Sequence, residues 1–156
     1  MAGNPKKKST GIVNAAIGAL AVVLAILIVW MMNLVSGIQG TARIINYAGL
    51  VRGKTQRIVK LEISGQPQDG MIADIDAFID GLRFGSDELS LVRLNDDAFQ
   101  RKMQELDDYF QALKQEIGRV RAVGSNNTDI IPISETFFGI CDDATGLAEA
   151  YSCLLY

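Results

Sequence analysis

Ile45-Asn46-Tyr47-Ala48-Gly49-Leu50-Val51-Arg52-Gly53-Lys54-Thr55-Gln56-Arg57 carries two helical stripes at once. Alternating steps of four and three from Ile38 pass through Ala42, Ile45, Gly49, Arg52, Gln56 and Val59, a coiled-coil seam with a cation and an amide set into it. Beside it, Ile44, Ala48, Val51, Thr55 and Ile58 form a second stripe that can pack into the subunit's own bundle and leave the first free to meet another subunit. An arginine in such a seam needs a partner, because an unpaired charge in a helix interface is costly. A carboxylate, a neighbouring helix terminus or an anion from outside all qualify. In a parallel dimer two copies of Arg52 face each other and demand an anion between them, while Gly49 lets the helices approach. On spacing alone, an ion pair with an acidic residue of another helix serves equally well.

Upstream, the chain has no charged residue from Ser9 to Ala42, and Ile12 to Val35 is almost continuously apolar. At about 1.5 Å per residue that run spans roughly 36 Å as a helix, enough to cross a hydrocarbon core of about 30 Å with some tilt. A cleaved signal peptide has a shorter apolar core, about 7 to 15 residues, and a small-residue cleavage site where this chain has Trp30, Met31, Met32 and Asn33. Lys6, Lys7 and Lys8 just before the run hold the N-terminus in the cytoplasm by the positive-inside rule. The sequence therefore predicts a lipid-bilayer anchor in the cell membrane with everything from Gly37 outside.

The helical pattern does not stop at the bilayer. It resumes at Ile38 and runs to about Ile63, where Ser64-Gly65-Gln66-Pro67 ends it with Gly65 placed as the cap. A second helix is expected from Asp69, as N-cap, to Phe84, with Ile72, Ile75, Phe78 or Ile79, and Leu82 inward. Gly85-Ser86-Asp87 breaks it, and Leu89 to Leu94 is a short apolar connector able to add a helical turn. A third helix starts at Asn95-Asp96-Asp97 and carries a regular seam of Phe99, Met103, Leu106, Phe110, Leu113, Ile117 and Val120. After the polar turn 124–129, a fourth opens near Pro132 and Ser134, with Phe137, Cys141, Ala144, Ala148, Tyr151 and Leu155 as its seam. The fold class is all-α, an N-terminal transmembrane helix continuous with an up-down-up-down four-helix bundle. That topology turns the last helix back towards the membrane, where a second membrane helix and an output module are expected beyond Tyr156.

The net charge of −3 becomes more acidic once the three cytoplasmic lysines are set aside, which argues against nucleic acid as a partner. With no histidine, a Ser-His-Asp or Cys-His pair and a histidine metal site are excluded. The pairs Asp96-Asp97, Asp107-Asp108 and Asp142-Asp143 point about 100° apart on a helix and read as solvated faces and N-caps. No enzyme, no cofactor and no metal site is expected. Cys141 and Cys153, roughly 18 Å apart along one helix, are beyond disulfide reach and are expected as two buried thiols.

The pattern Ile45-Asn46-x-Ala48-Gly49-x-x-Arg52-x-x-x-Gln56-Arg57 directly after a first membrane helix resembles the first periplasmic helix of nitrate/nitrite sensor kinases and of the type IV pilus chemoreceptor. It is also similar to sensory regions of bacterial receptors with kinase, methyl-accepting or diguanylate cyclase outputs. The resemblance implies a homodimer in which both copies of Arg52 hold a small anionic ligand at the two-fold axis near Gly49, with Gln56, Asn46 and Arg57 completing the site. The chain departs at Gly53, where the nitrate sensors carry methionine, so the implied ligand is a small anion or carboxylate rather than nitrate in particular. The domains expected on this basis are a cytoplasmic N-terminus (1–11), a transmembrane helix (12–35) and an extracytoplasmic sensor bundle (36–156).

Overall fold

Amphipathic stripes of period 3.5 bury themselves by packing helix on helix, and that is the architecture of the computed structural model, which describes residues 5–154. Among the described residues four helices follow in order: α1 (Pro5–Ile63), α2 (Asp69–Phe84), α3 (Asp97–Val123) and α4 (Ile130–Leu154), with a 3₁₀ turn at Ser125–Asn127. The all-α bundle matches the expectation from sequence. The chain divides into two compact units, 1–38 and 39–156.

In the first unit the helix exposes Leu20, Val23, Leu27, Trp30 and Met31. It is long and apolar enough to cross a membrane by length and composition. Its two polar side chains near the end of the apolar run are satisfied within the helix: Asn33 donates to the Val29 carbonyl (3.0 Å) and Ser36 to that of Met32 (2.9 Å). A segment surrounded by hydrocarbon needs such internal pairing. The side chains of Lys6, Lys7, Lys8 and Ile38, and the seam residue Leu155, lie outside the described residues.

The second unit is the bundle. The inner stripe of α1 is buried throughout, from Ile44 through Ala48, Val51 and Thr55 to Ile58, and so is the whole predicted seam of α3. From α2, Ile75, Ile79 and Leu82 enter the core; from α4, Phe137, Cys141, Ala144 and Ala148. Ile72, Phe78 and Tyr151 pack against its edge. Adjacent helices are registered by charge. Lys54 of α1 pairs with Asp74 of α2 (2.6 Å), Arg83 and Lys114 bridge α2 and α3 through Asp107 and Asp76, and Lys102 of α3 meets Asp143 of α4 (3.2 Å).

Helix ends follow local chemistry, with three corrections. The α1 terminus closes as expected: Gly65 has φ +75°, its N–H bonds to the Glu62 carbonyl (3.0 Å), and the Gln66 N–H bonds to that of Leu61 (2.9 Å). Asp69 is not an N-cap but the first residue of α2; its carboxylate is drawn to Arg121 (2.8 Å) instead. The 89–94 segment adds no helical turn. Ser86 and Leu91 exchange backbone hydrogen bonds of 2.8 Å across a tight turn, because Gly85 (φ +88°) has already reversed the chain. Finally, α4 begins at Ile130, two residues early, since Pro132 fits a first turn whose N–H groups have no helical partner. Asp96 caps α3 as its position suggests, accepting from the Phe99 N–H (2.7 Å).

Gly85 gives a testable consequence. Its φ of +88° and ψ of 159° belong to a region open to glycine, and an added Cβ would lie 3.3 Å from the Leu91 carbonyl oxygen. Gly85→Ala should cost about 1–3 kcal/mol in denaturant unfolding of the full chain. Gly118→Ala, on a stretch of α3 where a Cβ meets nothing within 4 Å, should instead gain up to about 1 kcal/mol.

Candidate functional site

Arg52 follows Val51, whose side chain is buried in the core, so at about 100° per residue it leaves α1 on the shoulder that faces α4. There its Nη1 donates to Asp142 Oδ1, and its guanidinium lies over the Phe138 ring at 5.2 Å from the centroid. Phe138 and Asp142 are one helical turn apart and share a face of α4, so one helix supplies both the aromatic surface and the carboxylate. Of the partners the sequence left open for Arg52, the carboxylate is the one observed within the chain. The pair is exposed, with 39% and 50% of the two side chains accessible, and a surface ion pair of that kind contributes about 0–1 kcal/mol. Arg52 is thus oriented by α4 without being sequestered.

The other predicted site residues fall into two groups. Gly49 and Gln56 lie within about 60° of Arg52 around the helix, one turn to either side. Asn46 and Arg57 are exposed and sit roughly 120° and 140° away, so a single chain does not bring them to the guanidinium. On the outer side of α1, Gly53 is exposed and Gly49 half-buried, and an added Cβ at either would meet nothing within 4 Å. Packing within the chain does not explain glycine there. The outer stripe is not wholly free either: Val59 is buried, and Ile45 packs against the core.

Beyond Gln56 a groove of about 390 Å³ opens between α1 and α4, lined by Val59, Lys60, Ile131, Ser134 and Glu135 among others. The partner of Arg52 is out of reach of local sequence patterns, because Asp142 is 90 residues away in a pair that reads as a solvated face.

The three acidic pairs diverge, as consecutive helical residues must. Asp142 turns to α1 and Asp143 to α3, and no group of three or more metal-binding side chains occurs among the described residues. The strongest polar cluster lies elsewhere, at the bundle end that carries the α1–α2 loop. Glu62 is buried, accepts both Nε (2.9 Å) and Nη2 (2.6 Å) of Arg121, and takes the Gln68 N–H at 2.8 Å. Those guanidinium bonds hold its carboxyl below the ordinary value of 4.5 against the opposing effect of burial. The inner stripe of α1 contained the signal: steps of four and three from Ile44 to Ile58 land next on Glu62. Nearby, buried Glu116 accepts the Asp129 N–H (3.0 Å) and fixes the entry to α4.

The cysteines meet the expectation of two buried thiols at one position only. Cys141 is buried, and that burial pushes its thiol up to about 12, leaving it an inert core group. Cys153 is exposed, because it falls two residues past Tyr151 and off the α4 seam.

No protein-family model matches the chain, and no curated protein matches it in sequence. In structure the chain is similar to the ligand-binding domain of the P. aeruginosa nitrate receptor McpN, with a TM-score of 0.62 and 18% identity over 70% of this chain and 96% of that one. At that identity the likeness establishes a shared fold.

Proposed function

We propose that this chain is the sensory input region of a bacterial transmembrane signalling receptor, binding a small anion or carboxylate between the first helices of two chains. The observation that carries the reading is Arg52: a cation on the first bundle helix, steadied by Phe138 and held only by an exposed ion pair. Its setting supports it, since the fold resembles the ligand-binding domain of a nitrate receptor. Gly49 and Gly53 supply a face on which a second α1 can approach closely, within about 100° of Arg52 around the helix. In this reading α1 anchors the chain in the cell membrane with its N-terminus in the cytoplasm, and 36–156 is the extracytoplasmic sensor. Because α1 runs unbroken from Pro5 to Ile63, a shift of one or two ångströms at Arg52 passes along one continuous helix. The ligand must bind the two helix arrangements with different affinity for this to signal. The input region itself is non-catalytic.

A second reading is favoured by the Arg52–Asp142 pair itself: a protein–protein interaction bundle in which that pair is structural and no small ligand binds. Thermal unfolding of the full chain in detergent micelles separates the two. Nitrate, nitrite and acetate are titrated in turn, and a binding anion stabilises by about 2.7 kcal/mol at one hundred times its dissociation constant. The shift should vanish in Arg52→Ala and persist in Arg93→Ala, whose side chain belongs to the α2–α3 connector. A dimer that forms normally yet shows no shift with any anion supports the second reading.

A further inference from the structure

Both groups that hold the Arg52 guanidinium, the Asp142 carboxylate and the Phe138 ring, come from α4, while the arginine comes from α1. No other ion pair joins these two helices among the described residues. The neighbouring carboxylate, Asp143, points to Lys102 on α3 and is not available to Arg52. A neutralised Arg52 changes what a dimer requires. Two bare guanidinium groups demand an anion between them, but two Arg52–Asp142 pairs carry no net charge and can approach without one. The chain supplies its own anion.

We infer that Asp142 is a resident competitor for the ligand: it occupies Arg52 in the unliganded state, and binding transfers the guanidinium from α4 to the incoming anion. This rests on the anion-binding reading above and adds its regulation. An occupant of Arg52 must replace a carboxylate, so it must itself be an anion that can face the planar guanidinium fork; nitrate and small carboxylates fit, and neutral solutes do not. Because the displaced contact is the α1–α4 ion pair, occupancy and the breaking of that pair are one event.

Isothermal titration of nitrate, then acetate, into the full chain in micelles tests this with four proteins: wild type, Asp142→Asn, Asp143→Asn and Arg52→Ala. Asp142→Asn should bind roughly two- to fivefold more tightly, the range released by losing an exposed ion pair. Asp143→Asn removes the same charge but faces α3, and should change affinity by less than about 1.5-fold. Arg52→Ala should not bind. If wild type binds through Arg52 but Asp142→Asn is equal or weaker, or both asparagine variants gain alike, the competitor role is overturned and the anion site stands. If neither wild type nor Asp142→Asn binds either anion, the anion-site reading fails, and this inference fails with it.

Discussion

Phe110→Ala is expected to lower the stability of the bundle by about 3–5 kcal/mol, a large share of the 5–15 kcal/mol that holds a domain folded. Phe110 is fully buried at the midpoint of the α3 seam, its ring 5.8 Å from that of Phe137 on α4, with the Lys114 ammonium 5.2 Å from its centroid. Truncation removes the ring's transfer free energy and leaves a cavity that four rigid helices cannot close, since Leu106, Leu113 and Phe137 are already packed. Denaturant unfolding of the full chain in micelles reads the change. Phe84→Ala is the control, being 65% exposed, and should stay within about 0.5 kcal/mol of wild type. A loss below about 1 kcal/mol for Phe110→Ala would contradict the packing described.

Glu62→Gln should cost about 2–3 kcal/mol at neutral pH, more than any surface pair in the bundle. The carboxylate is buried and bidentate on Arg121, and its oxygens also bind the Gln68 N–H that starts the α1–α2 connection. Arg121 is partly exposed, which keeps the figure below that of a fully buried pair. The pH dependence has a definite sign. Arg121 depresses the Glu62 pKa in the folded state below its ordinary 4.5, so the contribution is complete above about 4.5 and is lost as pH falls through the lowered folded value. Wild type should therefore lose stability between pH 6 and pH 3 more steeply than Glu62→Gln. Parallel slopes would remove Glu62 as the cause.

Much of this fold is legible in the sequence because helical seams are periodic. The α3 seam and the inner α1 stripe can be counted off residue by residue, and each counted position is buried. What resists reading is whatever depends on long-range geometry or on competition between local options. The 85–96 connector has apolar residues that fit a helical turn, but the positive φ of Gly85 commits it to a reversal closed by Ser86 and Leu91. Asp69 has the right residue type for an N-cap, but a cation from α3 claims it. Glu62 lies on a countable stripe, but residue type alone does not mark a glutamate near a helix end as buried; its partner Arg121 is 59 residues away. For Arg52, spacing establishes that a partner is needed; only the antiparallel pairing of α1 with α4 identifies Asp142. Asn46 and Arg57 entered through a family resemblance, and their distance around the helix from Arg52 keeps them out of its reach within one chain.

The proposed site lies between two chains, which makes stoichiometry the sharpest test. Calorimetric titration of nitrate into the full-length wild-type chain in micelles, repeated with Arg52→Ala, measures both the heat and the number of anions per chain. An anion held between paired Arg52 side chains predicts saturation at about one anion per two chains, by the two-fold symmetry of a shared site, and no heat with Arg52→Ala. The same heat and the same stoichiometry in both proteins would contradict it.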